Sequence, residues 1–304
     1  MMIKNNKNVI TKYSSLVRFR RAGAPIIALA LLLSAGINTS KGQGKSSKPN
    51  ILLIFLDDLG YGDLSITGNT EINTPNIDAI GNEGIQFPQA YSASPYCSPS
   101  RTALLTGRYP VRTGVNAVLF PTAKEGLPAS EITIAEQLKT KGYTTGIIGK
   151  WHLGHLPQYL PTTQGFDYYF GIPFSNDMTP HYYIRNQEVL PEHIDQRFTT
   201  KRYTDEAIEF IGKNKDGPFF LYLPHTMPHV PLHVSPEFEG NSTYGRYGDV
   251  VQEIDHHIGR LLKALKDEGL EQNTLIIFTS DNGPWKTQGK NGGSSGIFRG
   301  AKAS

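Results

Sequence analysis

Pro95-Tyr96-Cys97-Ser98-Pro99-Ser100-Arg101-Thr102-Ala103-Leu104-Leu105-Thr106-Gly107-Arg108 contains the only cysteine among 304 residues. A lone cysteine is ordinarily a small, inert, buried hydrophobe. Here Pro99 stands two places on and Arg101 four, giving C-x-P-x-R, and L-L-T-G-R closes the stretch. The run Ser98 to Leu105 predicts a helix whose N-terminus lies at Cys97. Free backbone N–H groups and the positive end of the dipole gather there and suit an oxyanion.

Working outward, four apolar runs end in polar groups. Ile51-Leu52-Leu53-Ile54-Phe55-Leu56 is apolar without alternation, as a strand covered on both faces should be, and Asp57-Asp58 follow it. Tyr143 to Ile148 leads into Gly149-Lys150-Trp151-His152, Pro218 to Leu223 into Pro224-His225-Thr226-Met227-Pro228-His229-Val230-Pro231-Leu232-His233, and Thr274 to Thr279 into Ser280-Asp281-Asn282-Gly283. Open α/β sheets build their sites at such strand ends. Asp57 and Asp58 either cap a turn or offer oxygens to a hard divalent cation. Lys150 and His152 alternate with Trp151, so an extended chain turns both to one side. The phosphate-loop frame G-x-x-x-x-G-K-[ST] is absent around Lys150. Three histidines four apart suggest a zinc-binding helix face, but Pro224, Pro228 and Pro231 exclude that helix.

Helices are predicted from Thr74-Pro75, from the capping box Thr133-x-x-Glu136, over Tyr203 to Lys213 and over Tyr247 to Glu268, the last ended by Gly269. Asp255, His256 and His257 on that last helix read as surface or packing residues. Phe87 to Ser94 reads as extended chain delivering Cys97.

In this order around C-S-P-S-R, the strand-end groups resemble the sulfatases of the alkaline phosphatase superfamily over nearly all of residues 49 to 302. G-F-D-x-x-x-G-I-P-x-S-x-D at 165 to 177 resembles the arylsulfatase A-like branch. The resemblance implies an α/β fold with a mixed, mostly parallel sheet sandwiched between helices. It also implies that a formylglycine-generating maturation enzyme oxidises Cys97 to an aldehyde whose hydrate attacks sulfur. Asp57, Asp58, Asp281 and Asn282, with residue 97, would hold Ca2+ or Mg2+, a choice that suits an all-oxygen set. Arg101 would hold the hydrate, and Lys150, His229 and Lys302 would neutralise the sulfate oxygens. A proton from His229 or Lys302 would accompany the departing alcohol, and His152 would be the base that expels sulfate. The P-H-x-P segment selects His229 and leaves His225 and His233 as structural or rim residues.

The substrate expected on this resemblance is a sulfated small molecule or glycan; an aryl sulfate fits equally, and export tilts the expectation to glycan. Two other classes are open. A phosphatase or phosphodiesterase of the same superfamily would use Ser or Thr as nucleophile and more metal ligands, and a non-catalytic exported glycan-binding relative would leave residue 97 a thiol.

Residues 1–48 carry nine Lys and Arg and no Asp or Glu, so the whole-chain formal charge of +3 becomes −6 beyond them. That removes the electrostatic basis for a nucleic-acid partner that a pI of 8.7 suggests. The basic start followed by the 14-residue apolar run Ala24 to Ile37 reads as an export signal over 1–42, too short for a stable membrane span, with a linker at 43–48. The expected location is periplasmic or secreted, and 49–304 is expected to be one catalytic domain. After Lys302 the T-x-E-G stretch and small C-terminal antiparallel subdomain that the resemblance leads one to expect are missing. The expectation is therefore a truncated domain with Lys302 on a frayed end and an apolar face uncovered.

Overall fold

In the computed structural model, which describes residues 1–4 and 48–304, the apolar runs become neighbours in one nine-stranded sheet. The strands in chain order are β1 (Met2–Lys4), β2 (Asn50–Leu56), β3 (Ile85–Gln86), β4 (Thr144–Ile148), β5 (Tyr168–Gly171), β6 (Ile184–Arg185), β7 (Glu188–Val189), β8 (Phe219–Pro224) and β9 (Thr274–Ser280). Their spatial order is β3-β1-β9-β2-β8-β4-β5-β6-β7. The five from β9 to β5 run parallel, and antiparallel strands flank them at both edges.

The absence of alternation in the runs is explained by two cores. Leu52, Ile54 and Leu56 face one apolar cluster, with Leu221, Leu223, Ile276 and Phe278 beside them. Leu53 and Phe55 face the other, with Ile147, Phe220 and Tyr222. Each such side chain removed from water contributes about 1.5–3 kcal/mol, so both faces must be covered. Helices α1 (Pro75–Asn82), α5 (Thr199–Lys213) and α6 (Arg246–Asp267) cover the first face with Ile77, Ile80, Tyr203, Phe210, Ile254 and Leu261. On the second lie α2 (Cys97–Thr106), the short α3 (Pro110–Thr113) and α4 (Ile134–Lys139), with Leu105 and Ala135 in that core.

Most helix boundaries fall within about two residues of the predicted signals, but α5 begins at Thr199, four residues before the predicted Tyr203. Thr133 and Glu136 form both bonds of the capping box at α4, and Gly269, with φ +67, follows the end of α6. Thr74 precedes α1 as expected, but its hydroxyl bonds Ser65 and Asp78 and makes no cap hydrogen bond. The open N–H groups of Asn76 and Ile77 are taken by Asp255 of α6, at 3.0 and 2.8 Å. Asp255 thus packs one helix against another. Phe87 to Ser94 is irregular rather than a strand, which ends at Gln86.

The export signal expected over 1–42 falls outside the described residues, except for Met1–Lys4. Met2–Lys4 lies between β3 and β9, with Met2 only 5% exposed. Beside it a groove of about 870 Å³ is lined by Met1, Met2, Tyr91, Phe278 and Phe298 among others. Among the described residues, no helix is long and apolar enough to cross a membrane.

The turn after β4 depends on Gly149. Its φ is +136°, and a Cβ there would stand 1.9 Å from the Pro224 carbonyl oxygen, where β8 ends. Gly149→Ala is expected to cost about 3 kcal/mol or more, read as a lowered urea midpoint, because strain and overlap act together. An unchanged midpoint would contradict so close an approach.

Candidate active site

Adjacent residues of a strand point to opposite faces, so two consecutive carboxylates reach one site only if the chain turns between them. It turns at Asp58, whose φ of +64° lies in the left-handed region. Asp57 and Asp58 are both buried, and the Asp58 N–H donates to Asp281 Oδ1 at 3.1 Å. Strand β9 ends beside β2, the Asp281 N–H donating to the Leu56 carbonyl at 3.0 Å, and this brings in Asp281 and Asn282. The Asn282 amide reaches Asp58 Oδ1 at 2.7 Å.

Cys97 is the first residue of α2, which Ser100 ties to the end of β9 by donating its hydroxyl to the Asp281 carbonyl at 2.6 Å. The thiol lies 3.5 Å from Asp57 Oδ1 and is 2% exposed. Burial pushes its pKa well above the ordinary thiol value; Lys150 opposes this, while Asp57, Asp281 and Asp58 reinforce it. The thiolate is the nucleophilic form of cysteine, so an unmodified Cys97 is a poor nucleophile here. One turn along the helix, fully buried Arg101 donates to Asp281 Oδ2 at 3.0 Å and to the Lys150 carbonyl at 3.2 Å, and lies 3.4 Å from Asp57 Oδ1. Beside the Cys97 thiol, its hydrogen bonds go to one acid and one main-chain carbonyl.

Three more cationic or basic groups face the acids. Lys150 Nζ pairs with Asp57 Oδ2 and donates to Ser175 Oγ at 3.0 Å. His229 Nε2 stands 3.5 Å from Asp58 Oδ2, and its loop is held by Asn176, whose amide donates to the carbonyls of His229 and Pro231. Lys302 Nζ pairs with Asp58 Oδ2 at 2.7 Å. The frayed end expected at Lys302 is not found. Its N–H bonds the Pro284 carbonyl, the next residue bonds Pro95, and its side chain is 8% exposed.

Burial alone would raise the Asp57 pKa, but Lys150, His229, Arg101 and Lys302 hold it well below the usual carboxylate range. Asp281 goes the other way, pushed up to about 7 by burial and then by Asp57. His152 is not part of a continuous strand with Lys150, as alternation had suggested, because its own φ of +57° turns the chain. Its Nε2 lies 3.0 Å from the Leu119 carbonyl, and burial, then Lys150 and Arg101, depress its pKa strongly. A carbonyl only accepts, so Nε2 carries the proton of a neutral ring. Nδ1, without a hydrogen-bond partner among the described residues, keeps a lone pair fit for a base.

The donor set suits a hard cation. Ligand atoms of Asp57, Asp58, Cys97 and Asp281 lie within 4.8 Å of one another, all buried. Asn282 Oδ1 is a buried acceptor without a partner among the described residues. Oxygens of three carboxylates and an amide are what Ca2+ or Mg2+ requires. Ser175, Asn176 and Trp285 were not singled out from sequence. Ser175 lies inside the 165 to 177 motif, and Trp285 three places past Asn282, but single polar or aromatic loop residues carry no spacing signal of their own.

His225 lies apart from these ion pairs. Neither ring nitrogen has a hydrogen-bond partner among the described residues, and burial, then His257, lowers its pKa to about 3. The folded state thus binds fewer protons than the unfolded state between pH about 3 and the ordinary value of 6.5. Its stability contribution is complete above that window and falls as pH drops through it. His225→Leu is expected to make acid unfolding shallower there, and an unchanged pH profile of the urea midpoint would contradict it.

Comparison with known proteins places this geometry. A family model described as Sulfatase matches residues 49–301. The chain is 39% identical to N-acetylgalactosamine-6-sulfatase of Rattus norvegicus over 95% of its own length and 59% of that protein's. It is 38% identical to arylsulfatase A of Homo sapiens over 91% of its length and 59% of that protein's. The chain thus spans about 59% of the length of each of these relatives. A solved structure described under the metabolism of multiple glycosaminoglycans by Bacteroides thetaiotaomicron superposes with a TM-score of 0.79 at 33% identity, over 85% of this chain and 69% of that one. Ps i-CgsB in complex with k-i-k-neocarrahexaose gives 0.78 at 33% identity, over 85% and 63%. Matched over residues 49–301, a span that holds Asp57, Asp58, Cys97, Arg101, Lys150, His229, Asp281 and Asn282, the chain belongs to the sulfatase family.

Proposed function

We propose that this protein is a sulfuric ester hydrolase acting on sulfate monoesters, with Cys97 converted to formylglycine and a Ca2+ ion, or Mg2+, held by Asp57, Asp58, Asp281 and Asn282. The observation that carries the reading is the state of Cys97. Its side chain is buried with the ligand atoms of Asp57, Asp58 and Asp281 within 4.8 Å, where a modified side chain would meet a cation, and that burial works against the thiolate. When present, the aldehyde hydrate supplies a nucleophile with a second hydroxyl for release, and the cation supplies Lewis acidity toward the sulfate.

The chain's own residues divide the remaining work. Arg101 stays charged between Asp57 and Asp281 and fixes the carboxylates. Lys150 and Lys302 bring positive charge to the oxygens on which charge accumulates. His229, its Nδ1 bonded to the Val230 carbonyl, is held neutral by burial, and the negative charge of a bound ester favours its protonation as the acid for the leaving alcohol. His152, neutral with Nδ1 free, takes the proton that frees sulfate.

A sulfated glycan is the favoured substrate. Relatives are named for N-acetylgalactosamine-6-sulfate, and one superposing structure holds an oligosaccharide. The basic and apolar N-terminal segment fits an exported enzyme that meets its maturation enzyme on the way out. Sulfate release measured over sulfated mono- and disaccharides, nitrophenyl sulfate and nitrophenyl phosphate tests the reading. Turnover of a sulfated sugar above the phosphate ester is expected, and preference for the phosphate ester would overturn it.

A further inference from the structure

The chain has two tryptophans, and they are placed very differently. Trp151 is fully buried in the second core, its indole N–H donating to the Tyr159 carbonyl at 2.9 Å. Trp285 is half-buried on the loop after Asp281 and Asn282. Its ring meets two groups of the site at once. Lys302 Nζ lies 4.2 Å from the ring centroid, and the His229 imidazole lies 5.5 Å away, tilted by 49°. The backbone beneath the ring is fixed, with the Trp285 N–H donating to the Gly292 carbonyl at 2.7 Å. The Lys302 N–H reaches the carbonyl of the preceding Pro284 at 2.9 Å.

Holding a lysine in one rotamer carries one of the largest side-chain entropy costs, so Lys302 needs firm partners. One is Asp58, but that carboxylate also faces His229 and the Asn282 amide. A carboxylate engaged by several partners, or by a cation, attracts each of them less. The face of an indole attracts an ammonium through its quadrupole and leaves the ammonium's hydrogen-bond donors free for an oxyanion.

We propose that Trp285 is the positioning residue for Lys302 and His229, holding both aimed at the sulfate side of the site when Asp58 is committed to other partners. Its consequence for turnover rests on the hydrolase reading above, whereas the contact itself does not.

The test is a mutant cycle with two readouts on the full chain. In emission spectra, Lys302→Met should change the Trp285 component, defined by difference against Trp285→Phe; an unaltered component would overturn the contact. In sulfate-ester turnover, Trp285→Leu should lower kcat/KM roughly 10- to 30-fold, chiefly through kcat. Trp285→Phe, which keeps a ring face, should recover most of that loss. Trp285→Leu with Lys302→Met should fall short of the product of the two single losses, because part of the Trp285 effect runs through Lys302 and only the His229 share remains to be lost. Additive losses, or Trp285→Phe as damaging as Trp285→Leu, would overturn the positioning role. Absence of turnover in the unaltered, matured protein would overturn the hydrolase reading and, with it, the role in turnover, while the emission arm decides the contact alone.

Discussion

Cys97→Ala is expected to abolish sulfate-ester turnover, a loss on the order of 10⁶ as for other enzymes stripped of their nucleophile. The fold should survive. The side chain is small, and deleting one sulfur from a site packed by ion pairs costs roughly 1 kcal/mol. Cys97→Ser separates the two roles assigned to this position. A hydroxyl can attack sulfur once, but it lacks the second hydroxyl through which the aldehyde hydrate releases sulfate. Thermal unfolding measured beside turnover distinguishes lost chemistry from lost structure, and residual activity in purified Cys97→Ala within tenfold of the unaltered protein would refute the nucleophile assignment.

Asp57→Ala and Asp281→Ala are expected to lose both the cation and the stability. Asp57 pairs with Lys150 and Arg101, and Asp281 with Arg101, all fully buried. Removing Asp57 leaves buried Lys150 without its carboxylate partner, at a cost of about 3–5 kcal/mol, whereas removing Asp281 leaves Arg101 beside Asp57 and costs less. The same substitution removes a ligand from the oxygen set. Chelation should therefore abolish turnover in the unaltered protein, Ca2+ or Mg2+ should restore it, and neither ion should rescue the variants. Full activity after exhaustive chelation, with no metal found by elemental analysis, would contradict the cation site.

Four of the nine strands, β2, β4, β8 and β9, were legible because they are apolar runs without alternation, a local signal; β5 and the short edge strands were not expected. Leu52 and Leu53 face different cores, and a run without alternation says as much. The convergence of Asp57, Asp281 and the His229 loop also followed, since parallel strands deliver their C-terminal ends to one edge. What was not legible depends on contacts between distant segments. The left-handed turns at Asp58 and His152 re-aim side chains that simple alternation would send elsewhere. Lys302, expected on a loose end, is fixed by Pro284, Asp58 and Trp285, none of them near it in sequence. Likewise Ser175 and Asn176 matter only because Lys150 and His229 come to them in the folded chain.

The chemical state of residue 97 tests the account most directly. Protein expressed with a formylglycine-generating enzyme and shown to hydrolyse a sulfate ester is digested, and the peptide spanning residues 97 to 101 is analysed by mass spectrometry with and without hydrazide. The account predicts an aldehyde at residue 97 that forms the hydrazone and accounts for the active fraction. A thiol at Cys97 that alkylates quantitatively in fully active protein would contradict it.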